Sequence, residues 1–119
     1  MAMNDNYPKP LYELVIEATC IYYKITREEL FAKRAVQATI DKKQICFYII
    51  KQETNLRLSA ISRITGHSRT TLQSALEKVE GEKDIYRQVL DQINDIMVIV
   101  YNLHSKQKKQ WGKRSQVIS

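Results

Sequence analysis

Ile45, Cys46, Phe47, Tyr48, Ile49 and Ile50 are consecutive, and no face of an element built from them is polar. A helix tolerates apolar residues all round only where neighbours cover it on most sides. The run therefore requires a fold that packs other elements around it, and it reads as the central helix of a bundle. A strand is the competing reading of ICFYII. Lys42, Lys43 and Gln44 before the run, and Lys51, Gln52 and Glu53 after it, extend the segment to an ordinary helix length and favour the helix. Asp41 is placed to cap it. Residues 33–40, KRAVQATI, read as a loop opening on two basic residues.

The flanking segments are also helical. Pro10 suits a helix start, and Leu11, Leu14, Val15, Ala18, Ile21 and Tyr22 keep helical spacing to about Tyr23. Thr26 with Glu29 three residues on forms a capping-box pattern, which predicts a short second helix to about Lys33. Downstream, Leu58, Ile61 and Ile64 mark a short helix broken at Gly66. Ser68 then caps a further helix with Leu72, Ala75, Leu76 and Val79 on one stripe. After Gly81 a last helix is expected over about 82–104. Its stripe is Ile85, Val89, Ile93, Ile96, Val100 and Leu103, and Met97, Val98, Ile99 and Tyr101 widen its apolar surface.

The expected architecture is all-α: a five- or six-helix orthogonal bundle containing a helix-turn-helix at about 58–80, with a long C-terminal helix. A chain of 119 residues with 44% hydrophobic residues, two prolines and three glycines suits one such domain. Its expected limits are a flexible lead over 1–9, the helical domain over 10–104 and a basic tail over 105–119. The net charge of +6 is unevenly placed. Lys106, Lys108, Lys109, Lys113 and Arg114 lie beyond residue 103, where none of the thirteen acids falls. A solubilising tail is the plain explanation of such a run; a polyanionic partner is the functional one.

Two helices joined by a tight glycine turn place the second in the major groove, with its N-terminal residues at base edges. Arg69 and Thr70 stand there, and Gln73 lies one turn on, clear of the apolar stripe. Arginine can bond both guanine acceptors, glutamine can pair with adenine and a threonine methyl can meet that of thymine. The helix start at Ser68 suits a phosphate. Glu77 projects on the same side and opposes a phosphate.

These segments, taken in order, resemble the C-terminal DNA-binding domain of the bacterial replication initiator DnaA, a helical fold related to the Trp repressor. YYKITREELFAKR resembles the first two helices and the entry to the basic loop. KKQICFYIIKQETN resembles the long helix that follows, and ISRITGHSRTTLQSALEKVE the signature Gly-Gly-Arg-Asp-His-Thr-Thr-Val. The resemblance spans approximately Leu11 to Val100 and implies binding of double-stranded DNA. Ser68 and Arg69 stand at its Asp and His, and Thr70 and Thr71 at its Thr pair. Lys43 and Lys51 stand at basic positions of the long helix, and Lys33 and Arg34 at the first basics of the loop. Ala35 occupies the place of the minor-groove Arg and Glu77 that of a basic residue, so a different target sequence is expected.

The expected DNA-binding set is thus Lys33, Arg34, Lys42, Lys43, Lys51, His67, Ser68, Arg69, Thr70, Thr71 and Gln73. For His67 a surface or capping role is the first expectation and a phosphate contact the second. No enzyme activity, metal or cofactor is expected. There is no G-x-x-x-x-G-K-[ST] stretch to cradle a nucleotide, such as the initiator's ATPase module would need. His67 and His104 lack zinc-ligand spacing, and Glu28 with Glu29 read as capping and solvated charge. Cys20 and Cys46 are expected as buried free thiols of a cytoplasmic, nucleoid-associated protein. No apolar stretch is long enough to span a bilayer. Trp111, amid basic residues, suits base stacking or an exposed tail position. The wide apolar face of the last helix suggests a homodimer. It also motivates the alternative function, a helical protein-interaction module or dimeric adaptor without specific DNA readout.

Overall fold

The computed structural model describes the backbone of residues 9–118 and the side chains of residues 9–107. Among the described residues six helices form an all-α bundle: α1 Leu11–Tyr23, α2 Arg27–Leu30, α3 Gln37–Glu53, α4 Leu58–Thr65, α5 Arg69–Lys83 and α6 Arg87–Ile118. The expected lead, apart from Lys9, lies outside the described residues.

Helix α3 is the hub, packed against α1, α2, α5 and α6. Ile45 to Ile50 are all buried, each 6% exposed or less, which is the covering that an all-round apolar helix requires. Cys46 lies within this run, and burial pushes its thiol up to about 12, which leaves it inert as a nucleophile. Both cysteines are free, but Cys20, expected to be buried, is only partly so. Helix α6 lies along α1, where Tyr22 Oη donates to Asp95 Oδ2 at 3.1 Å and Tyr23 Oη to Gln92 Oε1 at 2.6 Å. Ile96 and Val100 turn inward from α6.

Local start signals act where expected. Thr26 and Glu29 form the reciprocal capping box, and Ser68 Oγ accepts from the Thr71 amide at 3.2 Å. Four boundaries differ, one of them at the end of α6, which runs on to Ile118 instead of stopping near His104. Helix α3 begins at Gln37 with Val36 as its N-cap, so Asp41 lies inside the helix and bonds Gln37 at 2.9 Å. Helix α2 stops at Leu30. Helix α5 continues through Gly81 to Lys83, which leaves Ile85 in the connection to α6 and 73% exposed instead of on the stripe. An interior glycine costs a helix only about 1 kcal/mol against alanine, too little to end a helix anchored by buried Leu72, Ala75 and Val79.

The two glycines of this region predict opposite effects. Gly66 has φ +77°, the left-handed conformation that ends α4, and its N–H donates to Ser62 O at 2.8 Å. Gly66→Ala is expected to destabilise by about 1 kcal/mol. At Gly81 the backbone is helical and a methyl group would meet nothing within 4 Å. Gly81→Ala is expected to stabilise by about 0.5–1 kcal/mol. Urea midpoints of the two variants, one below and one above the parent, check the pair.

Candidate nucleic-acid interface

Helices α4 and α5 meet at Gly66, His67 and Ser68, and Ile61 on one buries with Leu72, Ala75 and Val79 on the other. That shared apolar seam turns the opposite side of α5 outward. Arg69, Thr70, Thr71 and Gln73 are all exposed at its first turns. Ser68 Oγ also donates to Thr71 Oγ1 at 2.9 Å, so these two hydroxyls brace the helix start, while Arg69 enters none of the ion pairs among the described residues. Gln73 Nε2 donates to Glu77 Oε2 at 3.0 Å. Because a carboxylate only accepts, this contact fixes which end of the Gln73 amide faces Glu77.

Lys33 and Arg34 are exposed in the loop between α2 and α3. Lys51 is exposed near the end of α3, with Nζ donating to Leu56 O at 3.0 Å. Lys42 is half-buried and lies on the α1 side, its Nζ 5.4 Å from the Tyr23 ring centroid. The same helix faces α5 through Asp41 and Gln44, which both accept from Lys78 at 3.1 Å. Lys42 is therefore separate from the α5 surface.

Lys43 and His67 depart from the expected surface placement. Lys43 is 6% exposed and His67 8%. At i, i+4 and i+7 of α3, Lys43 shares the buried face of Phe47 and Ile50. Its Nζ donates to Ala32 O at 3.2 Å and approaches His67 Nε2 at 3.1 Å. An ammonium can only donate, so Nε2 accepts and Nδ1–H donates to Thr65 O at 3.0 Å. The imidazole packs against the rings of Phe47 and Phe31, with centroids at 5.3 and 6.1 Å.

This geometry holds His67 neutral. Burial lowers its pKa below the ordinary 6.5, the Thr65 bond opposes that shift, and Lys43 and Lys33 add to it. The unfolded chain, with histidine at its ordinary value, takes up a proton first as pH falls. The stability contribution is therefore full above about 6.5 and is lost as pH drops through the native value. Urea midpoints at pH 7.5 and 5.5 should show this loss, and His67→Gln should reduce the difference between the two pH values.

Sequence reasoning overlooked Arg57 and Arg63. Both are exposed on or beside α4, the helix that crosses the backbone when such a pair docks. Their omission from the α4 stripe of Leu58, Ile61 and Ile64 was the available signal. The side chains of Lys108, Lys109, Trp111, Lys113 and Arg114 lie outside the described residues. Among the described residues no group of three His, Cys, Asp or Glu could hold a metal, and no helix is long and apolar enough to cross a membrane.

The glycine-turned pair, the capped second helix and its exposed Arg-Thr-Thr edge define a helix-turn-helix protein. Residues 12–79, more than half of the chain, match the family described as the bacterial DnaA protein helix-turn-helix, and the chain belongs to that family. It is 30% identical over 82 residues to the chromosomal replication initiator protein DnaA of Mycobacteroides abscessus, covering 69% of this chain and 17% of that protein. Against the same protein of Clavibacter sepedonicus it is 27% identical over 100 residues, covering 83% of this chain and 20% of the relative. The chain thus spans a fifth or less of the length of these curated relatives.

Proposed function

We propose that the chain binds double-stranded DNA sequence-specifically, with α5 in the major groove. The observation that carries this is the exposed set Arg69, Thr70 and Gln73 on the first turns of a Ser68-capped helix whose other side is buried. Arg69 reads guanine, Thr70 contacts a thymine methyl and Gln73 reads adenine. Lys33, Arg34, Lys51, Arg57 and Arg63 hold phosphates, and Ser68 with Thr71 shapes the helix start. The role is to occupy DNA and so regulate replication initiation or transcription, in the cytoplasm at the nucleoid, for a chromosome, phage or mobile element. Selection of bound duplexes from a random pool tests it: an enriched motif is expected, and uniform recovery of all sequences would refute specific readout.

Glu77 sets a limit on affinity. Its carboxylate lies on the outward side of α5, where phosphates repel it. Glu77→Gln is expected to strengthen binding to random duplex several-fold, on the order of 1 kcal/mol. Anisotropy titrations at low and high salt should show the gain shrinking as salt rises.

A second reading, compatible with the first, is a homodimer through α6. Leu90, Val98 and Tyr101 are 38%, 57% and 60% exposed. With Met97 they form one wall of a groove of about 480 Å³ closed on the other side by Tyr48 and Gln52. A second copy would cover this face and favour a palindromic site. Sedimentation equilibrium of the parent and Tyr101→Glu distinguishes a dimer, which the charge would dissociate, from a monomer.

A further inference from the structure

Three pieces that the DNA-binding reading places at the duplex, the loop bearing Lys33 and Arg34, helix α3 and the turn before α5, converge on one buried side chain. Lys43 Nζ donates to Ala32 O at 3.2 Å, directly before the two loop cations. It also lies 3.1 Å from Nε2 of His67, directly before the Ser68 cap. The link continues through His67 Nδ1 to Thr65 O at the end of α4. Around it, Phe31 of the loop stem stacks on Phe47 of α3 at 6.0 Å and 5°, and both rings touch His67. A lysine of this burial is a poor device for stability, because the desolvation of its charge offsets much of what its hydrogen bonds supply. An apolar side chain of similar length would fill the same space. What an apolar chain could not do is tie one carbonyl and one imidazole, from two separate segments, at a set distance.

We propose that Lys43 is a positioning residue for DNA recognition, fixing the Lys33–Arg34 loop in register with the start of α5 so that both meet the duplex in a single docking. The inference rests on the DNA-binding reading of α5. The loop cations and the α5 edge stand on different segments. Without the tie, each docking event has to order the loop afresh, and that entropy is subtracted from binding. Lys43 thus acts through Lys33 and Arg34 and touches no DNA itself.

A double-mutant cycle tests this. Affinity for the selected duplex is measured by anisotropy for the parent, for Lys43→Met, for the loop variant Lys33→Ala with Arg34→Ala, and for the combination. Thermal melts run in parallel. Lys43→Met is expected to melt at or above the parent temperature yet bind roughly threefold to tenfold more weakly, the ordering cost of one to two long side chains. In the Lys43→Met background the loop substitutions should cost clearly less than in the parent, since a loop no longer held in register has less to lose. Independent, multiplying losses would overturn the proposal, as would parent-like affinity in Lys43→Met. If Lys43→Met fails to fold, His67→Phe removes the imidazole end of the tie while keeping a ring against Phe31 and Phe47, and the cycle is read in that background. Arg69→Ala separates the two levels. Lost selectivity there with additive Lys43 and loop effects removes only the positioning role, whereas a parent protein that selects no duplex removes the DNA-binding reading and this proposal with it.

Discussion

Replacing Phe47 by alanine should cost about 3–5 kcal/mol of stability, the range for removing a fully buried aromatic side chain. Phe47 is 1% exposed at the centre of α3, stacked on Phe31 and in contact with His67. The cavity would open where α2, α3 and the turn before α5 come together, so the site cannot collapse by moving one helix alone. For a domain of this size the loss corresponds to a drop in melting temperature on the order of 10 °C or more. Calorimetry of the variant should also show weaker DNA binding at temperatures where it remains folded, because the same ring supports His67 and the loop stem. A variant that melts like the parent would mean that the α3 hub is not the core described above.

Arg69→Ala should weaken binding to the selected duplex by roughly 1–3 kcal/mol, about fivefold to 150-fold, with little change on random duplex. The asymmetry is the informative quantity. A guanidinium that bonds both guanine acceptors contributes only where guanine stands at its position, whereas a phosphate contact contributes on any sequence. Arg69 is exposed at the first residue of α5 and outside every ion pair among the described residues, so alanine there removes an outward donor without breaking a contact of the fold. Titrations of both duplexes at one salt concentration decide the matter. An equal loss on the two would reassign Arg69 to the backbone.

The α4–α5 pair shows how much of the site was legible in the chain. Gly66, Ser68 and the stripe of Leu72, Ala75 and Val79 act within a few residues of themselves, through a backbone conformation, a side chain bonded to an amide three residues on, and a repeat of 3.6. Such signals are complete in the local sequence, and the exposed edge of Arg69, Thr70 and Gln73 follows from them by elimination. The start of α3 was less legible, because Val36 caps it without a side-chain bond and Asp41, a good cap by type, is used instead to meet Gln37 and Lys78.

By itself, then, the sequence determined the helices' existence, the caps of α2 and α5, the all-round burial of Ile45 to Ile50 and the family to which these segments belong. Only the tertiary structure decided the environments of Lys43 and His67. Both residue types are at home at a surface, and a long amphipathic stem or an imidazole lies inside or outside according to what packs over it. Their burial was settled by Ala32, Thr65 and the rings of Phe31 and Phe47, which come from three segments that the chain brings together only on folding. Helical periodicity reports which face of a segment turns inward; the partner it meets there, and whether that partner can satisfy a buried ammonium, is a property of the assembled bundle.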